Sequence, residues 1–221
     1  TTLMDWTPGN DPPPDPPRPK TGTALAWNLG DSIYVLLGAA YDDPDRTYFY
    51  KYTISSNSWQ RLADTPHAQG AGDALVWSGY DNMVYAMLGN RMRPCHFCRY
   101  VPGTDTWETI AFNPAWTVTD DGASLVWTGG EYLCALRGEW EETNPHNDFA
   151  RYSIAAGTWQ NLAPIPVTNG VGDGASLLWV GNWIIEYSDY LFALGGNDVL
   201  ENPGDNFYRY NLSGNNWIEL E

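Results

Sequence analysis

Positive charge is scarce in this sequence. Only 11 Lys plus Arg stand against 27 Asp plus Glu in 221 residues, for a formal net charge of −16. A surface of that sign repels phosphate, which argues against nucleic-acid partners and against adsorption to anionic membranes, and leaves cation binding open. Long apolar runs are missing too. None approaches the roughly 18 residues of a membrane-crossing helix, and no charged-then-apolar leader opens the chain, so a soluble protein without a membrane span is expected. Cysteine is limited to Cys95, Cys98 and Cys134, and a chain of this length buries an adequate core without disulfide staples. Helical periodicity is also absent, since every stretch of about 11 residues is interrupted by Gly, Pro or a turn cluster. What abounds is aromatic and turn-forming residues, 12 Trp, 14 Tyr, 22 Gly and 16 Pro, the composition of a turn-rich β protein.

An internal repeat of about fifty residues organises the chain. Four segments open alike, GTALAWN from Gly22, GDALVWS from Gly72, GASLVWT from Gly122 and GASLLWV from Gly174. Each is followed by an apolar run closing on Gly38, Gly89, Gly138 or Gly195. Next comes a Phe-x-x-Tyr pair, Phe49 with Tyr52, Phe97 with Tyr100, Phe149 with Tyr152 and Phe207 with Tyr210. A Trp then follows each Tyr by seven residues, at Trp59, Trp107, Trp159 and Trp217. Four short apolar runs separated by turn residues make each repeat a four-stranded meander. Residues three apart on a strand point to opposite faces, so each Phe and its Tyr are expected to bury against different neighbours.

On these features the chain resembles the kelch-type β-propellers, in which a repeat of roughly 40 to 50 residues forms one blade. The resemblance covers Gly22 to the C-terminus. The family's paired glycine is present only as Gly195 and Gly196, with Leu37, Leu88 and Arg137 at the first position elsewhere, a pattern similar to degenerate extracellular bacterial and archaeal repeats. The expected fold is therefore all-β, a kelch-like propeller of four blades with four antiparallel strands each, either a closed ring or an arc of a larger assembly. The blades run over about 22–71, 72–121, 122–173 and 174–221. Residues 1–21 are expected to form an N-terminal strand carrying Trp6 and a Pro-rich spacer, the strand free to pair with a neighbouring molecule or to lie as a cover or tail.

Candidate chemistry is sparse. The recurrent cations Lys51, Arg99, Arg151 and Arg209 are expected to lie on an adjacent aromatic and pair with acidic loops. Trp116, Trp140 and Trp183 fall off the repeat pattern, where loop aromatics stack on sugars, anchor partners or simply pack. Glu141 and Glu142 join Trp140 in that candidate binding set. Loops between second and third strands and between blades share one side of the array and are acidic. They form either a solvated rim or a calcium site, with Asp121 and Asp173 as the first-choice ligands and no other cofactor expected. Cys95 and Cys98 make a lone CxxC that does not support zinc. Three buried or free thiols are the leading expectation, the alternative being one interblade disulfide to Cys134, which Cys98 is freer to meet than Cys95. His67 and His146 stand alone in loops. Asn211-Leu212-Ser213 is an N-glycosylation sequon.

The resemblance also implies that enzymes are conceivable, because kelch-type propellers include copper radical oxidases and sialic-acid isomerases. Three scattered histidines do not suit a copper site. The leading expectation is a non-catalytic extracellular or cell-surface module that binds protein, self-assembling into homo-oligomers or filaments through blade edges and the Trp6 strand. A carbohydrate-binding propeller is the alternative.

Overall fold

The computed structural model describes residues 19–38, 47–90, 93–116, 118–138, 146–167, 170–181, 189–197 and 206–220. Among them, sixteen strands form four antiparallel sheets, each a simple meander of four consecutive strands. Sheet 1 holds β1 (Ala24–Trp27), β2 (Ser32–Leu36), β3 (Phe49–Thr53) and β4 (Ser58–Arg61). Sheet 2 holds β5 (Ala74–Ser78), β6 (Met83–Asn90), β7 (Arg93–Val101) and β8 (Thr106–Ile110). Sheet 3 holds β9 (Ser124–Trp127), β10 (Tyr132–Leu136), β11 (Phe149–Ser153) and β12 (Thr158–Asn161). Sheet 4 holds β13 (Ser176–Trp179), β14 (Tyr190–Leu194), β15 (Phe207–Asn211) and β16 (Asn216–Leu220). The first strands form the inner side of the array, with β1 against β5, β5 against β9 and β9 against β13. No contact of that size joins β13 back to β1 among the described residues.

The seven-residue Tyr-to-Trp spacing is a hairpin register. Tyr52 lies opposite Trp59, Tyr100 opposite Trp107, Tyr152 opposite Trp159 and Tyr210 opposite Trp217. Their ring centroids are 4.9–5.3 Å apart. The turn between each pair ends in a left-handed residue, Asn57, Asp105, Gly157 or Asn215, residue types that adopt positive φ at low cost. These turns also tie sheets together. Tyr100 Oη donates to Asp105 Oδ1 at 2.7 Å, and the same oxygen accepts the Ala63 amide of the preceding sheet at 2.9 Å. Asn215 repeats the arrangement with Tyr210 and Ala163. The indole N–H of Trp107, Trp159 and Trp217 donates to the carbonyl of Ala63, Ala111 and Ala163, each four residues past the previous sheet's Trp.

Three cores lie between successive sheets. One face of sheet 1, with Tyr34, Leu36 and Phe49, meets Leu75, Val84, Ala86, Cys98 and Tyr100 of sheet 2. The same scheme joins sheet 2 to sheet 3 and sheet 3 to sheet 4. In sheets 2 and 3, Phe97 and Tyr100, and likewise Phe149 and Tyr152, therefore enter different cores, as their three-residue offset requires. Phe49, Phe97 and Phe149 each sit edge-on to the next sheet's Tyr and Trp, as in Phe49 with Tyr100 and Trp107 at 4.9 and 4.8 Å, a favoured aromatic geometry.

One alternative falls here and one expectation needs correction. Cys98 lies in the core between sheets 1 and 2, whereas Cys134 lies in that between sheets 3 and 4. They form no disulfide, and all three cysteines are buried thiols. The recurrent cations do stack on rings, Arg151 on Tyr132 and Arg209 on Tyr190. Their polar partners, though, come from the neighbouring strand rather than from acidic loops: Arg99 pairs with Glu108 at 2.5 Å and Arg151 donates to Gln160 at 2.9 Å.

Candidate functional site

At the side of the array where the inner strands begin, a buried polar cluster fills the junction of sheets 2 and 3. Asp73 opens β5 from a position held by Thr23, Ala123 and Ala175 in the other repeats. Its Oδ1 accepts the Gly89 amide at 3.1 Å, while its Oδ2 is buried without a hydrogen-bond partner. Gly89 itself approaches so closely that a Cβ there would strike Thr119. The Thr119 hydroxyl in turn accepts from the Cys95 thiol at 3.1 Å. Arg137 follows β10 and extends the cluster toward sheet 3. It donates from Nε to the Val118 carbonyl at 3.0 Å and from Nη1 to Asp148 Oδ2 at 2.9 Å, with His146 Nδ1 3.2 Å away.

Burial decides the electrostatics of this junction. Desolvation pushes the Asp73 carboxyl well above the usual carboxylate range, against two backbone amides that pull it down. It also pushes the Cys95 thiol up to about 11, and the Cys98 and Cys134 thiols to about 12. A protonated thiol is a poor nucleophile, and a buried carboxylic acid is a neutral hydrogen-bonding group. The cluster is thus a polar plug between two sheets, with one internal ion pair at Arg137.

The histidines are not isolated as expected. His67, in the strand-free link between sheets 1 and 2, stacks on His96 of β7 with centroids 3.4 Å apart and planes 4° from parallel. Burial lowers the pKa of both, and for His96 the charge of His67 adds to the effect. His146 belongs to the Arg137 cluster.

The expected site residues are dispersed. Trp116 is buried, packed edge-on to Phe112 and tilted against Trp159 in the core of sheets 2 and 3, so it offers no platform for a sugar ring. Trp6, Trp140, Glu141, Glu142 and Trp183 lie outside the described residues. Asp121 is half-buried and Asp173 exposed at successive inner-strand entries. Among the described residues no three Asp, Glu, His or Cys side chains gather to hold a metal ion. The Asn211 carboxamide oxygen accepts from Ser213 Oγ and the Gly214 amide within its hairpin turn. Sequence reading missed Asp73 and Thr119 altogether and registered Arg137 only as a departure from the glycine pair. The available signal was that Asp73 and Arg137 each place a charged residue where the other repeats have an uncharged one.

The second feature of functional interest is the free face of sheet 4. Leu178, Leu194, Phe207 and Ile218 are exposed there, and Phe192 stacks on Phe207 at 5.7 Å. Fold and site together define an all-β, propeller-like protein of four four-stranded sheets with an apolar end face. Among solved structures it is similar to the one described as "Structure of YjhT", with a TM-score of 0.64 at 14% identity over 93% of this chain. The likeness spans 66% of that protein's chain. No protein-family model matches the sequence, and neither does any curated protein.

Proposed function

We propose that this chain is a non-catalytic interaction module of the extracellular or cell-surface kind, an array of kelch-type blades that binds protein through an open sheet face. One observation carries the reading. Sheet 4 presents to solvent the side chains that the other sheets bury against a neighbour. Leu194 is 49% exposed, whereas Leu36, Met87 and Leu136 at its equivalent positions are 0% exposed. Phe207 is 39% exposed, against 0%, 0% and 1% for Phe49, Phe97 and Phe149. The face is also more apolar than the repeat requires, because Ile218 stands where the first three repeats hold Gln60, Glu108 and Gln160. A contiguous apolar patch on a strongly acidic chain is the mark of an interaction surface.

Burial, which raises the pKa of both Asp73 and the Cys95 thiol, supports a module without catalysis, and the burial of Trp116 weakens the carbohydrate-binding alternative. Light scattering over a concentration series tests the reading. Species heavier than 24.7 kDa that revert to monomer in Leu194→Asp are expected. A protein that stays monomeric and changes its tryptophan fluorescence on adding glycans would overturn the proposal in favour of a lectin.

A further inference from the structure

We infer that the occupant of the sheet 4 face is the inner strand of sheet 1 from a second copy of this chain, docked head to tail. The inference rests on the interaction-module reading and specifies its partner. Each junction inside the chain follows one rule. The second-strand and Phe side chains of one sheet receive the first-strand Leu and Trp of the next. Leu75, Leu125 and Leu177, on the entering sides of sheets 2, 3 and 4, are 6%, 7% and 8% exposed. Their counterpart on sheet 1 is Leu25, which is 64% exposed, and Trp27 beside it is 52% exposed. The middle of that same sheet 1 face is already closed, since Val35, Leu37 and Tyr50 form a cluster of their own. What sheet 1 leaves open is therefore β1, and what sheet 4 leaves open is the surface that receives such a strand.

The contacts of the fourth junction follow from the other three. Trp77 stacks on Tyr34 at 5.9 Å and 3°. The equivalent pair across two molecules is Trp27 on Phe192, with Leu25 entering beside Leu178 and Leu194. Backbone spacing agrees. A Cβ on Gly22 would strike the Gly70 carbonyl, one on Gly72 the Thr119–Asp120 backbone and one on Gly122 the Gly172 carbonyl. At Gly174, fourth in the series, the corresponding space holds nothing within 4 Å. Head-to-tail contact between identical chains is heterologous and leaves a free face at each end, giving rings or open filaments.

The test uses two full-length variants with opposite faces blocked, Leu178→Asp/Leu194→Asp on sheet 4 and Leu25→Asp on sheet 1. All three side chains are already exposed, so folding should tolerate the changes. Each variant alone should be monomeric by light scattering, with association weakened about tenfold or more, the scale set by losing one or two buried leucines. An equimolar mixture should form a 1:1 dimer and nothing larger, since each partner retains one complementary face. Gly174→Asn, which keeps a residue tolerant of positive φ, should likewise impair association with circular dichroism unchanged. Loss of association in the sheet 4 variant with none in Leu25→Asp would overturn head-to-tail docking while leaving the interaction-module reading intact. A wild-type chain that is monomeric at every concentration would overturn both.

Discussion

Asp73 shows how one residue can break a repeat at a thermodynamic cost. At the equivalent position Thr23 donates its hydroxyl to the Lys20 carbonyl at 2.7 Å and lies 3.1 Å from that of Leu37, satisfying the turn that opens the sheet. Asp73 instead accepts one amide and leaves Oδ2 orphaned. Because burial raises its folded-state pKa above the ordinary 3.8, the native state holds a proton that the unfolded chain releases as pH rises through about 4. Stability therefore falls with pH above that point, the reverse of the usual salt-bridged carboxylate. Replacing Asp73 with Thr should stabilise the protein at pH 7 by about 1–3 kcal/mol, the scale of a relieved unsatisfied polar atom. The gain should shrink as pH drops below about 4, where the carboxyl is protonated in both states. Urea unfolding at pH 7 and pH 3 measures both, and a gain independent of pH would show that the carboxyl ionises freely in the fold.

At the scale of the element, the sheets are held in series by glycines that let one entry turn lie on the next. Gly122 and Gly174 both have positive φ, +78° and +80°, but only Gly122 faces backbone, with the Gly172 carbonyl oxygen 2.1 Å from the point a Cβ would occupy. Gly174→Ala should cost about 1–2 kcal/mol from the left-handed backbone alone. Gly122→Ala should cost about 1–3 kcal/mol more, because the sheets must part. Denaturant unfolding of both variants at dilution favouring monomer decides it, and equal costs would mean that sheets 3 and 4 do not approach as closely as described. Much of this architecture was legible in the sequence, since hairpin register and sheet alternation leave fixed offsets such as Tyr52 to Trp59 and Phe49 to Tyr52. The polar plug was not. Asp73, Thr119 and Arg137 lie far apart along the chain and meet only because inner strands of neighbouring sheets are adjacent, a relation that no spacing along the chain encodes. Trp116 failed for the opposite reason, an off-pattern aromatic being absorbed by the nearest core once Phe112 and Trp159 were there to meet it.

At the scale of the whole molecule, apolar attraction and net charge oppose each other. Each chain carries −16, so bringing two copies together is repulsive over distances of about a Debye length, roughly 10 Å at 0.1 M salt. The apolar side chains of the sheet 4 face, Leu178, Phe192, Leu194, Phe207 and Ile218, carry no charge, and the register sets one cation among them, Arg209, stacked on Tyr190, too little to offset that repulsion. Salt therefore has one sign of effect. It screens the repulsion, and it leaves burial of leucine and phenylalanine intact or strengthens it. Sedimentation at about 0.05 M and about 0.5 M NaCl should show association tightening with salt, in contrast to an interface built on ion pairs, which salt weakens. The same measurement on Leu194→Asp should show little association at either concentration, because screening removes repulsion without restoring the lost apolar contact. Tightening in the wild type that persists in the variant would relocate the interface away from sheet 4. Weakening with salt would replace the apolar face by charge pairing as the basis of assembly.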